Sequence, residues 1–127
     1  MNPKRFLTIG GIILVTIGIL GVTHLLGQIS NASLFNPPYW INWFHLTLGI
    51  FVLAVAFSPT PRLQTWVAFF PAVVATMIGL LGLLFGSWAA SHFNDPQLAD
   101  PSDHLAHLMV GIVALWAWWN RPVAEIS

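Results

Sequence analysis

From Phe6 to Leu26 the chain carries no aspartate, glutamate, lysine or arginine, and three later runs, near 41–57, 63–88 and 104–119, carry none either. A helix rises about 1.5 Å per residue, so roughly 20 such residues match a hydrocarbon core about 30 Å thick. Lipid offers the backbone no hydrogen-bond partner, so a chain that crosses it in segments of this length does so as helices. The runs predict an all-α polytopic membrane protein, a single membrane domain over 1–127 with four transmembrane helices. Composition agrees: 57% of the 127 residues are hydrophobic and 6% are charged, whereas a soluble domain carries about a quarter charged residues.

The polar segments set the order of the spans. Lys4 and Arg5 precede the first run, which also suits a signal peptide. The run is longer than a signal h-region, however, and a matching helix recurs later, so it reads as a membrane span. Gln28 to Asn36 reads as a polar connection, with Asn36 capping the second helix and Pro37 at its first position. Ser58-Pro59-Thr60-Pro61-Arg62 reads as a tight turn. Pro71, inside the third run, predicts a kink, and Ser102 or Asp103 is expected to cap the fourth helix. In an up-down-up-down bundle Lys4, Arg5, Arg62 and Arg121 share one side, which is cytoplasmic by the positive-inside rule and holds both termini. Asp95, Asp100 and Asp103 fall on the other.

Two strings repeat. His45-Leu46-Thr47-Leu48-Gly49-Ile50 and His107-Leu108-Met109-Val110-Gly111-Ile112 share the pattern H-L-x-x-G-I. Ile17-Gly18-Ile19-Leu20-Gly21 resembles Ile78-Gly79-Leu80-Leu81-Gly82, and Ser33-Leu34-Phe35-Asn36-Pro37-Pro38 resembles Ser91-His92-Phe93-Asn94-Asp95-Pro96. The matches keep their order in both halves, so two duplicated helical hairpins of parallel topology are expected. Nearly the whole chain resembles the family called domain of unknown function 4383 (DUF4383), small bacterial membrane proteins of four predicted helices. The resemblance is carried by Asn42-x-x-His45-Leu46-x-x-Gly49, by Asp103-His104-x-x-His107-Leu108-x-x-Gly111, and by Ile17-Gly18 and Ile78-Gly79. It implies histidines in the second and fourth spans and supplies no activity. The expected location is a bacterial inner, or thylakoid, membrane.

His24, His45, His92, His104 and His107 all map to the non-cytoplasmic half of this topology. His104 and His107 share a helix face, as Asn42 and His45 do. The simplest reading makes Asn42, His45, His104 and His107 interhelical hydrogen-bonding groups, with Gly49 and Gly111 allowing close backbone approach. A second reading makes His45 and His107 axial ligands of b-haem or a chlorophyll-like pigment, with Gly49 and Gly111 leaving room for the macrocycle. A third places a metal ion on His104 and His107 with His45, His92 or Asp103. A fourth is a pH-sensing or proton-handling histidine cluster.

Other function classes are disfavoured. There is no cysteine, which excludes disulfides and thiolate sites. Net charge is zero and only four residues are cationic, so there is no nucleic-acid footprint. No nucleophile–base set, phosphate loop or intramembrane carboxylate pair is present. Gly82-x-x-x-Gly86 matches a helix-association pattern, read first as close packing within the bundle and second as homodimerisation; Trp116, Trp118 and Trp119 read as an interfacial belt, and Asn31-Ala32-Ser33 is a formal glycosylation sequon. The function expected is non-enzymatic: a structural or accessory protein whose partners are the lipid bilayer and a second copy or a larger membrane complex. No cofactor is required by this reading.

Overall fold

A computed structural model describes residues 1–25 and 39–121. Among them the chain is all-helical: α1 Pro3–Val22, α2 Tyr39–Ala56, α3 Pro61–Phe93 and α4 Pro101–Trp119, with a short 3-10 turn at Pro96–Ala99. The connection around Gln28–Asn36, the Asn36 cap, the Asn31 sequon and the first Phe-Asn-Pro string lie outside the described residues. Each helix start with a visible cap pairs a polar residue with proline at the next position: Asn2-Pro3, Thr60-Pro61 and Asp100-Pro101. Proline suits that position because its missing N–H would have no intrahelical partner there.

α1, α2 and α3 are long and apolar enough to cross a membrane. α4 is long enough but falls short in hydropathy, because Ser102, Asp103, His104 and His107 all stand in its first two turns. Boundaries also differ from expectation. α1 stops at Val22, with His24 in the left-handed region at φ 59°. α3 continues through Pro71 and past Trp88 to Phe93, where Asn94 takes a left-handed cap at φ 53°. Its 33 residues span about 50 Å. Asp100 caps α4, accepting from the Ser102 backbone N–H at 2.9 Å and the Ser102 hydroxyl at 2.6 Å. The cap therefore lies two to three residues before the expected Ser102 or Asp103.

The closest packing joins α1 to α2 and α3 to α4, and small residues set it. An ideal Cβ on Gly18 would lie 2.6 Å from the Leu46 backbone nitrogen, and one on Gly79 would lie 2.6 Å from that of Leu108. Gly21 abuts the Asn42 amide as Gly82 abuts the His104 ring. Gly49 packs on Leu14 and Val15, and Gly111 on Thr76. Without a hydrophobic drive between helices in lipid, such close approach supplies the dispersion contact that holds them.

The hairpins meet in an apolar cluster of Phe6, Leu7, Val55, Ala56, Ala68, Ala72, Ala114 and Ala117. These come from the start of α1, the end of α2, the first half of α3 and the end of α4. Beside the cluster, Gln64 is buried and donates to the Ala56 carbonyl at 3.1 Å and the Ser58 carbonyl at 2.8 Å. It thus satisfies the last carbonyl of α2 and one in the turn that follows it. At the same end Arg121 lies 3.9 Å over the Trp118 ring, and Trp118 packs on Phe69. Outward faces carry large apolar side chains, among them Ile12, Phe51, Phe70, Leu84 and Met109.

Candidate functional site

The repeated strings place one polar group on each hairpin seam and one histidine beside it. Asn42 and His104 occupy the seams, 4% and 7% exposed. The His104 Nε2 donates to the Leu98 carbonyl at 2.9 Å; a carbonyl only accepts, so Nε2 carries the proton. That bond fastens the 3-10 turn to the start of α4. The ring fits because Gly82 and Gly86 lack side chains: a Cβ on Gly82 would overlap the ring, and one on Gly86 would reach the Leu98 carbonyl at 2.5 Å. Gly82-x-x-x-Gly86 is therefore occupied within its own hairpin. Among the described residues, the Asn42 Oδ1 and His104 Nδ1 are buried without a conventional partner. Each lies where a Cβ on Gly21 or Gly82 would stand, so a glycine Cα–H points at each lone pair, a weak but real contact at helix interfaces.

His45 and His107 lie one helical turn further along α2 and α4. His107 donates from Nδ1 to the Asp103 carbonyl at 2.9 Å, with the Asp103 carboxylate 3.4 Å from the same nitrogen. Its Nε2 is thereby the ring's lone-pair nitrogen when the imidazole is neutral. His45 is half-buried, and its Nδ1 is shielded from solvent with no hydrogen-bond partner among the described residues.

The other histidines lie elsewhere. His24 stacks on Tyr39 at 5.7 Å, and His92 stacks on Trp88 at 5.1 Å; both are exposed. With His104 locked by Leu98, the set His104, His107, His45 and His92 is not gathered at one point. Among the described residues, no group of three or more histidine, aspartate or glutamate side chains is placed to hold a metal ion. Gly49 and Gly111 do not face a shared space either. The room they leave is filled by Leu14, Val15 and Thr76, so those glycines offer a macrocycle no berth.

Outside the bundle, hydrogen bonds from the Ser102 hydroxyl, then from its backbone N–H, hold the Asp100 carboxyl below the usual carboxylate range. Asp100, Gln64 and the Leu98 carbonyl are structural groups that the motifs did not single out. For Gln64 the available signal was a lone amide in an apolar run just after a proline-rich turn. No protein-family model, curated protein or solved structure matches the chain.

Proposed function

We propose that the protein is a small non-enzymatic membrane protein, a four-span up-down-up-down bundle of two duplicated hairpins. It serves as a structural or accessory unit that packs with a second copy or a larger membrane complex. One observation carries the reading: the polar and small side chains are spent on internal contacts, while the outward faces are large apolar side chains. Such a surface is covered by lipid or by another membrane helix. The duplication is supported by the paired contacts, Gly18 to Leu46 with Gly79 to Leu108, and Gly21 to Asn42 with Gly82 to His104. The topology is supported by the apolar cluster, which joins helix starts to helix ends in alternation. The fourth span is supported by the confinement of polar residues to the first two turns of α4, at the depth of the headgroups. The resemblance to domain of unknown function 4383 rests on the histidine and glycine motifs alone.

The test is mild-detergent or nanodisc purification from the native membrane, followed by mass measurement. A stoichiometric partner or a defined oligomer is the expected result; a monomer free of partners overturns the accessory role. The tetrapyrrole reading retains its two imidazoles but not its glycines. A Soret band in the same preparation, lost in His45→Ala or His107→Ala, would establish it.

A further inference from the structure

We propose that the end of the bundle where α1 and α3 begin and α2 and α4 finish binds the phosphate of an anionic phospholipid, held jointly by both hairpins. The inference goes beyond the accessory role and rests on the membrane reading of the chain. Every lysine and arginine of the sequence stands at this end: Lys4 and Arg5 in the first turn of α1, Arg62 in the first turn of α3, and Arg121 just past α4. Packing brings them together. Phe6 and Leu7, which follow Lys4 and Arg5, share one buried cluster with Val55, Ala56, Ala68 and Ala117. Arg121 lies over Trp118, which packs on Phe69, and Phe69 packs on Trp66, one turn beyond Arg62. Asp95, Asp100 and Asp103 lie at the far end, around the close of α3 and the start of α4, and the fourth acid, Glu125, is outside the described residues. Among the described residues, no carboxylate pairs with any of the four cations.

Charge and apolar surroundings together select the occupant. Lys4, Arg5 and Arg62 are exposed and Arg121 is half-buried, and unpaired cations on three helices make a positive field that an anion neutralises. Three of them are arginines, whose planar fork takes a phosphate through two parallel hydrogen bonds. Arg121 is already held in place: its guanidinium lies 3.9 Å over the Trp118 ring and donates to the Trp118 carbonyl at 3.3 Å, which leaves its remaining N–H donors for a ligand. A side chain ordered beforehand loses less entropy on binding. Phe57, Trp66, Trp116 and Trp119 stand exposed around the same end, and such rings favour the headgroup level. The helix faces beyond them are apolar, so an anion with acyl chains meets both surfaces and a soluble anion meets only one. Lys4 and Arg5 belong to one hairpin and Arg62 and Arg121 to the other. One headgroup between them therefore adds to the cluster that joins the hairpins.

The test titrates the detergent-solubilised full chain with phosphatidylglycerol, or with phosphatidylcholine of the same acyl chains, and resolves the bound lipids by native mass spectrometry. Phosphatidylglycerol should bind at least about tenfold tighter. Lys4→Gln, Arg5→Gln, Arg62→Gln and Arg121→Gln, checked for helicity and monodispersity, should each weaken it by about fivefold, and the four together should abolish the preference. His92→Gln, at the far end, should change nothing. Should the combined variant not fold, salt gives the same answer on the unaltered chain: more ammonium acetate should weaken phosphatidylglycerol binding and leave phosphatidylcholine alone. Glycerol phosphate at the lipid's concentration should not displace it. Equal binding of the two lipids, a preference that survives the combined variant or high salt, or displacement by glycerol phosphate overturns the proposal. A partner-free monomer that prefers phosphatidylglycerol overturns the accessory role alone, and a complex without that preference overturns this proposal alone.

Discussion

At the turn between α2 and α3, the last carbonyls of a helix end near a membrane surface and need donors. Gln64 supplies two hydrogen bonds from a buried position. Gln64→Leu keeps the bulk and removes the donors, leaving the Ala56 and Ser58 carbonyls unsatisfied. A loss of about 1–3 kcal/mol is expected, read as a lower unfolding midpoint in detergent; an unchanged midpoint would show that the turn holds without the amide. Asp100 acts at the opposite end of the bundle. Its carboxyl is held below the ordinary carboxylate range by the Ser102 hydroxyl and N–H, so the folded state favours the charged cap. That stabilisation is complete above the unfolded carboxylate's pKa of about 3.9 and is lost as pH falls through the lower folded value. The Ser102 amide shift should therefore titrate with a midpoint below about 3.9. The inflection should vanish in Asp100→Asn, and its persistence there would assign the titration to another group.

Each hairpin is zipped where a glycine meets a neighbouring backbone, and a backbone cannot move aside as a flexible side chain can. Gly79→Ala sets a methyl 2.6 Å from the Leu108 nitrogen and 2.7 Å from the His104 carbonyl, an overpacking that costs about 1–3 kcal/mol. Gly10→Ala meets nothing within 4 Å and gains helix propensity of up to about 1 kcal/mol. Unfolding of the two variants should move in opposite directions; equal destabilisation would remove the zipper. The glycines themselves were legible, because spacing along one helix is written in the chain. Their partners were not, because the register of the facing helix is set by packing. Gly82-x-x-x-Gly86 reads as close packing within the bundle, and it packs there, but the His104 ring that it houses was not written in the spacing. Asp100-Pro101 was open to the same cap-and-proline rule applied to Asn36-Pro37, but the acidic Asp103 drew the cap inward.

Apolar runs made the helices legible because lipid leaves the backbone few alternatives, and three of the four reach the length and hydropathy of a span. The end of α3 was less so. Trp88 marks an interface depth, but Ala89, Ala90, Ser91 and His92 can all remain helical, and the helix ends only where Asn94 turns left-handed. Repetition suggested that His45 and His107 would be neighbours; it carried no information on which ring nitrogen each would present, since that depends on Asp103 and on the fit between hairpins. The length of α3 has a consequence for the whole molecule. About 50 Å of helix exceeds a core of about 30 Å, so both ends of α3 should stand in water or headgroups. The natural chain has no cysteine, which makes single introduced cysteines clean reporters. In intact cells a membrane-impermeant maleimide should label Ser91→Cys. It should label Thr60→Cys only after permeabilisation, and Met77→Cys in neither case. Labelling of Thr60→Cys from outside would invert the orientation, and labelling of Met77→Cys without permeabilisation would show that α3 does not cross the bilayer.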